Sequence, residues 1–178
     1  GLVNALAYTP LGGLVLHVES SLYPGKGNLT ITGMLGQVMD ESVRVALSYI
    51  KTNLKSFKIK DIDYENNDLH IHFLEGSIKK DGPSAGITMA TAMVSALTGR
   101  KVRSDVAMTG EITIRGRVLP IGGLKEKVLA AYREGIHTII LPEENRRDIE
   151  EIPESVREKL EFIPVDHIDK VLDNALLK

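Results

Sequence analysis

The sequence contains no cysteine, which excludes a thiol nucleophile, cysteine-ligated zinc, iron–sulfur clusters and structural disulfides. It also lacks a surplus of charge: 22 lysines and arginines stand against 24 aspartates and glutamates, a formal net charge of −2. A nucleic-acid partner is not expected, because neutralising phosphates calls for a basic surplus. No apolar run is long enough to span a bilayer; the longest, Ile87 to Leu97, is interrupted by Thr and Ser. No basic stretch leading into an apolar one marks a signal peptide, and there is no internal repeat or low-complexity tract. The G-x-x-x-x-G-K-[ST] spacing of a phosphate-binding loop is missing too, and Gly25-Lys26-Gly27-Asn28 does not meet it. The chain opens on Gly1 rather than methionine, which suggests a piece of a longer protein.

What remains is a chain of 178 residues, 43% hydrophobic and 26% charged. That is the composition of one soluble globular domain, residues 1–178, with a real core. Leu14, Leu16 and Val18 alternate with Val15 and His17 after Gly12-Gly13 and predict a strand; Asn28 to Thr32 predicts another. Leu35, Val38, Met39, Val43, Ala46, Leu47 and Ile50 recur at helical spacing, predicting an amphipathic helix over Leu35 to Lys51. Asp61 to Asp68 reads as a polar loop, Leu69 to Phe73 as a strand and Glu75 to Gly82 as a charged loop. Ile87 to Leu97 is apolar all round, a buried helix stopped by Gly99. Short strands at Val106 to Thr109 and Val118 to Ile121 follow, joined by Gly110 to Gly116. Then come a helix from Leu124 to Glu134, a strand from His137 to Leu141, two short helices, a strand from Glu161 to Val165 and a helix from Ile168 to Leu177. The alternation predicts an α/β class, or α+β if the early strands form hairpins.

The segment most charged with chemistry is Lys79-Lys80-Asp81-Gly82-Pro83-Ser84-Ala85-Gly86, directly before the buried helix. Pro83 suits a first helical turn, which places Ser84 at or near the helix N-terminus. There the dipole and main-chain amides can stabilise developing negative charge. Ser84 has two readings, a helix cap or a nucleophile, and caps are the commoner. Gly82-Pro83-Ser84-Ala85-Gly86 also fits the G-x-S-x-G nucleophile elbow. Lys79, Lys80 and Asp81 are not the buried strand such an elbow needs, and no Gly-rich oxyanion motif lies upstream.

A serine hydroxyl needs a base. His70 and His72 share one face of a strand and are one candidate pair; as metal ligands they lack an obvious third partner. Lysine is the other candidate, on the helix that begins at Leu124. Leu124, Val128 and Ala131 form its core stripe, with Lys127 about 70° and Lys125 about 90° from the stripe's centre. That is a small preference for Lys127. An uncharged lysine at pH 7 costs about 4–5 kcal/mol from an ordinary pKa of ~10.4, unless burial lowers it.

These residues resemble a known family. Lys80-Asp81-Gly82-Pro83-Ser84-Ala85-Gly86 is similar to the nucleophile motif of the Lon protease catalytic domain. Thr109 to Gly116 and Leu119 to Lys127 resemble its second and third signatures, in the family's order. The likeness extends through Gly33-Met34-Leu35-Gly36, Glu41-Ser42 and Ile139 to Pro142, and so covers essentially the whole chain. It implies the fold of that domain and the soluble, A-type branch, with Leu74 and Lys79 standing where proline is common. It further implies a serine endopeptidase that is ATP-dependent in the full protein, with Ser84 as nucleophile and Lys127 as base. Thr109 would orient the lysine, and Asp81, Gly82 and Pro83 would form a supporting loop able to switch between open and occluded forms. His70 and His72 match family positions outside the dyad.

No cofactor or metal is expected in this domain, since ATP and Mg2+ would serve an ATPase module that this chain lacks. The implied partners are unfolded or tagged protein substrates and further copies in a hexameric ring, with no membrane. The implied location is the bacterial cytoplasm, or alternatively the mitochondrial matrix. Against the enzyme stands a non-catalytic, ring-forming or protein-binding domain in which Ser84 is only a cap.

Overall fold

The computed structural model describes residues 1–59, 65–75 and 79–178. In chain order it contains β1 (Leu2–Thr9), β2 (Gly12–Pro24), β3 (Leu29–Thr32), α1 (Gln37–Thr52), β4 (Asn67–Phe73), α2 (Gly86–Thr98) and β5 (Val106–Met108). Then follow β6 (Glu111–Ile112), β7 (Val118–Leu119), α3 (Leu124–Arg133), β8 (Thr138–Pro142), a 3₁₀ segment (Glu143–Glu151), α4 (Glu154–Arg157), β9 (Glu161–Val165) and α5 (Ile168–Ala175).

Seven strands form one mixed sheet in the order β3-β4-β2-β1-β5-β8-β9, and β6-β7 make a separate two-stranded ribbon. β1 and β2 form an antiparallel hairpin and β2 pairs antiparallel with β4; the β3–β4, β1–β5, β5–β8 and β8–β9 pairs are parallel. The class is α/β, with one early hairpin of the kind the α+β alternative invoked.

Because side chains alternate across a strand, β1 and β2 feed two cores at once. Val3, Ala5, Leu16 and Val18 pack with α1, α2 and α5 on one face. Leu6 and Val15 pack with Leu124, Val128 and Ala131 of α3 on the other. α2 is buried on nearly every side between α1 and the sheet, as its unbroken apolar composition requires, and it stops at Gly99 in a left-handed cap. Gly13 is fixed by packing rather than by φ: a Cβ there would overlap the Glu126 carbonyl, so its bare backbone lets α3 lie directly on β2.

Several expectations shift. β1 is absent from the sequence reading although it lies at the centre of the sheet. Helix α1 begins at Gln37; Leu35 instead forms an isolated bridge with Lys80. The segments 106–108 and 118–119 are strands but not partners: β5 enters the main sheet, and β7 pairs with β6, which lies in the expected connection. Asn67 and Asp68 extend β4, and α5 ends at Ala175 because Leu176 bridges to Val102. Residues 61–64 and 76–78 of the two expected loops lie outside the described residues.

Candidate active site

The parallel neighbours β1 and β5 end side by side, and open α/β sheets form binding crevices beyond such carboxyl ends. A cleft of about 450 Å³ opens there. Ala5, Ala7, Tyr8 and Thr9 of β1 form one wall, Pro120 to Gly123 another, and Lys79 to Ala85 a third. Ser84 and Lys127 both line it, and no histidine does.

Ser84 sits in a turn before α2. The Gly86 amide donates to the Pro83 carbonyl (3.2 Å), and the Ser84 carbonyl accepts from the Gly110 amide (2.7 Å). The helix begins at Gly86, one residue before the expected Ile87, and its N-cap is Ala85, with no side-chain cap bond, so Pro83 precedes the first turn instead of lying in it and Ser84 does not cap. Among the described residues the Ser84 hydroxyl has no hydrogen-bond partner, and it is not sealed from solvent. A cap would be engaged; this hydroxyl is available.

Lys127 projects from the first turn of α3 and is 2% exposed, whereas Lys125, two residues earlier, is exposed. Burial alone lowers the Lys127 pKa from 10.5 to about 8. Its Nζ donates to Thr109 Oγ1 at 3.2 Å, and Thr109 Oγ1 in turn makes a long 3.5 Å bond to the Ser84 carbonyl. Thr109 follows β5 directly and is fully buried. No hydrogen bond joins Ser84 Oγ to Lys127 Nζ; the two flank one cleft and meet through Thr109. Thr109→Val should therefore free the Lys127 amine and lower kcat on the order of tenfold, with Thr109→Ser restoring it, as read by steady-state kinetics on a peptide.

The Asp81 carboxylate is engaged by main-chain amides. Its Oδ1 accepts from the Gly82 amide (2.9 Å) and the Met39 amide (3.0 Å). These bonds, with one from Val38, hold its carboxyl below the usual carboxylate range. Val38 and Met39 are in the first turn of α1, so Asp81 caps that helix from a distant segment.

The histidines are elsewhere. His70 Nε2 and His72 Nδ1 both meet Thr32 Oγ1 (2.8 and 2.6 Å) on the sheet face beyond α3. His17 pairs with Asn4, and His167 caps α5. Among the described residues no three histidine or carboxylate side chains form a metal-binding group, and no helix is long and apolar enough to cross a membrane.

Sequence reasoning missed Asn145. It is 3% exposed, and its amide brackets Ile121, accepting from the N–H and donating to the carbonyl, both at 2.9 Å. That pairing braces the Pro120–Gly123 wall. The only signal was one amide in the run Glu143-Glu144-Asn145-Arg146-Arg147-Asp148.

A serine hydroxyl without a partner and a buried amine thus line one cleft, where a serine hydrolase needs a nucleophile and a base. The family comparison is more specific. Residues 1–178 match the model of the Lon protease (S16) C-terminal proteolytic domain, and the chain belongs to that family of serine peptidase domains. It is 61% identical over 178 residues to "Lon protease" of Brevibacillus choshinensis, covering 100% of this chain and 23% of that protein. It is 59% identical over 177 residues to "Lon protease 1" of Bacillus subtilis (strain 168), covering 99% and 23%. "Lon protease" of Clostridioides difficile (strain 630) is 55% identical over 178 residues, covering 100% and 23%. The chain thus spans less than a quarter of the length of these relatives.

Proposed function

We propose that this domain hydrolyses internal peptide bonds with Ser84 as nucleophile and Lys127 as the base. The observation that supports this most is a buried amine whose pKa lies near 8, in the same cleft as a serine hydroxyl without a partner. At that pKa, holding the amine neutral at pH 7 costs about 1.4 kcal/mol, instead of the several demanded of an exposed lysine.

Lys127 Nζ takes the Ser84 proton as Oγ attacks the substrate carbonyl. The carbonyl π electrons move onto oxygen, giving a tetrahedral oxyanion. The Gly86 and Ile87 amides are engaged by Pro83 and Gly110, which leaves the Ser84 and Ala85 amides as the donors for that oxyanion. The Lys127 ammonium then protonates the leaving nitrogen as the C–N bond breaks. Water, deprotonated by the same amine, opens the ester. Thr109 keeps Nζ aimed, and Asp81, Gly82 and Pro83 hold the loop.

In the whole protein this chemistry is coupled to an ATPase module outside this chain, which uses ATP and Mg2+. Its substrates are unfolded, damaged or selected regulatory proteins fed into a homo-hexameric ring, and its location is the bacterial cytoplasm. The residues described here offer no ligand set for a metal, and the chemistry requires none.

Two measurements test the reading. A serine-directed phosphonylating probe should label Ser84 alone, and absence of labelling sinks the nucleophile. kcat/KM should rise about tenfold per pH unit up to about pH 8 and level off above it, because only the neutral amine accepts a proton. A limb with a midpoint near 6.5 would point to a histidine base instead.

A further inference from the structure

Lys80 is a second buried lysine, which the mechanism does not use. It is 5% exposed. Its Nζ donates to the Gly33 carbonyl (2.9 Å), just past β3, and to the Glu75 carbonyl (2.7 Å), just past β4. Its main chain is held too: the N–H donates to the Met34 carbonyl at 2.9 Å, and its carbonyl accepts from the Gly36 amide at 2.6 Å. Burying an ammonium is costly, and an apolar chain of similar length would fill the space more cheaply. The charge therefore has to be explained by what it holds.

What it holds is irregular backbone. Met34 (φ 60°) and Glu75 (φ 62°) are two of the three non-glycine residues with left-handed backbone among the described residues. Gly33 lies at φ 118°, where a side chain would also strike Phe73. Such conformations persist only when their surroundings over-determine them. Lys80 bonds to all three residues, and the chain then runs directly into Asp81, which is docked on α1, and on to Ser84.

We propose that Lys80 is a positioning residue for the nucleophile: its ammonium ties the end of β3 to the end of β4 and fixes the segment from which Asp81 and Ser84 are presented. It transfers no proton. This rests on the Ser84–Lys127 reading given above.

The test uses the intact protein that carries this domain, with rates normalised to folded protein. Lys80→Met should lower both kcat and the rate of Ser84 phosphonylation on the order of 10–100-fold, since small misplacements of reacting groups have effects of that size. KM should change little, and the acid limb of the pH profile should stay where wild type has it. Lys80→Arg, which keeps two donors, should recover most of the rate. Lys80→Gln, whose shorter amide reaches one carbonyl, should fall between them, and it carries the test should the methionine variant not fold. Labelling of Lys80→Met or Lys80→Gln at the wild-type rate overturns the inference, as does a displaced acid limb. Failure of wild type itself to label refutes the dyad instead, so the two failures are distinct.

Discussion

Lys127→Met is expected to abolish peptide hydrolysis and, at the same time, to make the domain more stable. Without a base, attack by a neutral hydroxyl should be slower by on the order of 10⁴-fold or more. The stability gain follows from proton linkage. Lys127 has a folded pKa of about 8 against 10.5 for an ordinary lysine. Below pH 8 the folded state must hold an ammonium that burial disfavours, at roughly 3 kcal/mol, taking 1.36 kcal/mol per pKa unit. As pH rises from 8 towards 10.5 the unfolded chain binds more protons than the folded one, so wild-type stability climbs and the gap closes. Methionine, similar in length and uncharged, removes the penalty altogether. Denaturant unfolding at pH 7 and pH 10 should show a gain of about 3 kcal/mol shrinking towards zero. Ser84→Ala should match it in lost activity and show no such gain. Equal stability of Lys127→Met and wild type at pH 7 would mean that the amine is not desolvated.

The second large effect belongs to a residue that touches no substrate. Gly13→Ala places a methyl against the Glu126 carbonyl, which is helix backbone and cannot step aside as a side chain would. Over-packing of this kind costs about 1–3 kcal/mol, and a rigid neighbour puts it at the upper end. The movement falls on the first turn of α3, the turn that carries Lys127. kcat/KM should fall about 100-fold with the variant still folded, because a shift of about 1 Å at a reacting group has that effect. Thermal unfolding and steady-state kinetics on one preparation would check both. A variant with wild-type activity would show that α3 does not register on β2 through this contact.

Much of this was legible beforehand, for physical reasons that differ by element. α2 announced itself by apolar residues without a polar face, followed by Gly99, and the burial of Leu124, Val128 and Ala131 agrees with their helical spacing. β1 was invisible because the residues that emerge on its open face, Leu2 and Tyr8, are apolar or aromatic and do not read as a solvent side. Val3 and Ala5 face one core and Leu6 the other, so no polar alternation marks it. Ser84 and Lys127 were chosen by motif, since the helical angle alone hardly separates Lys127 from Lys125. Folding separates them decisively, burying one and exposing the other. The Gly33 carbonyl that holds Lys80, the Met39 amide that holds Asp81 and the Ile121 amide that holds Asn145 were out of reach, because each is main chain brought in by tertiary structure. No side-chain pattern encodes them.

The position of β1 has a mechanical consequence. Its eight residues are zipped in register to β2 along their whole length and to β5 on the other side. A load applied at Gly1 along the strand would therefore be borne in shear by many main-chain bonds at once, whereas the outermost strands β3 and β9 could be peeled away one bond at a time. A domain tethered through this strand would withstand tugging from its amino-terminal side best. Loss of β1 altogether would leave β2 and β5 as two bare, adhesive margins and no continuous sheet between them.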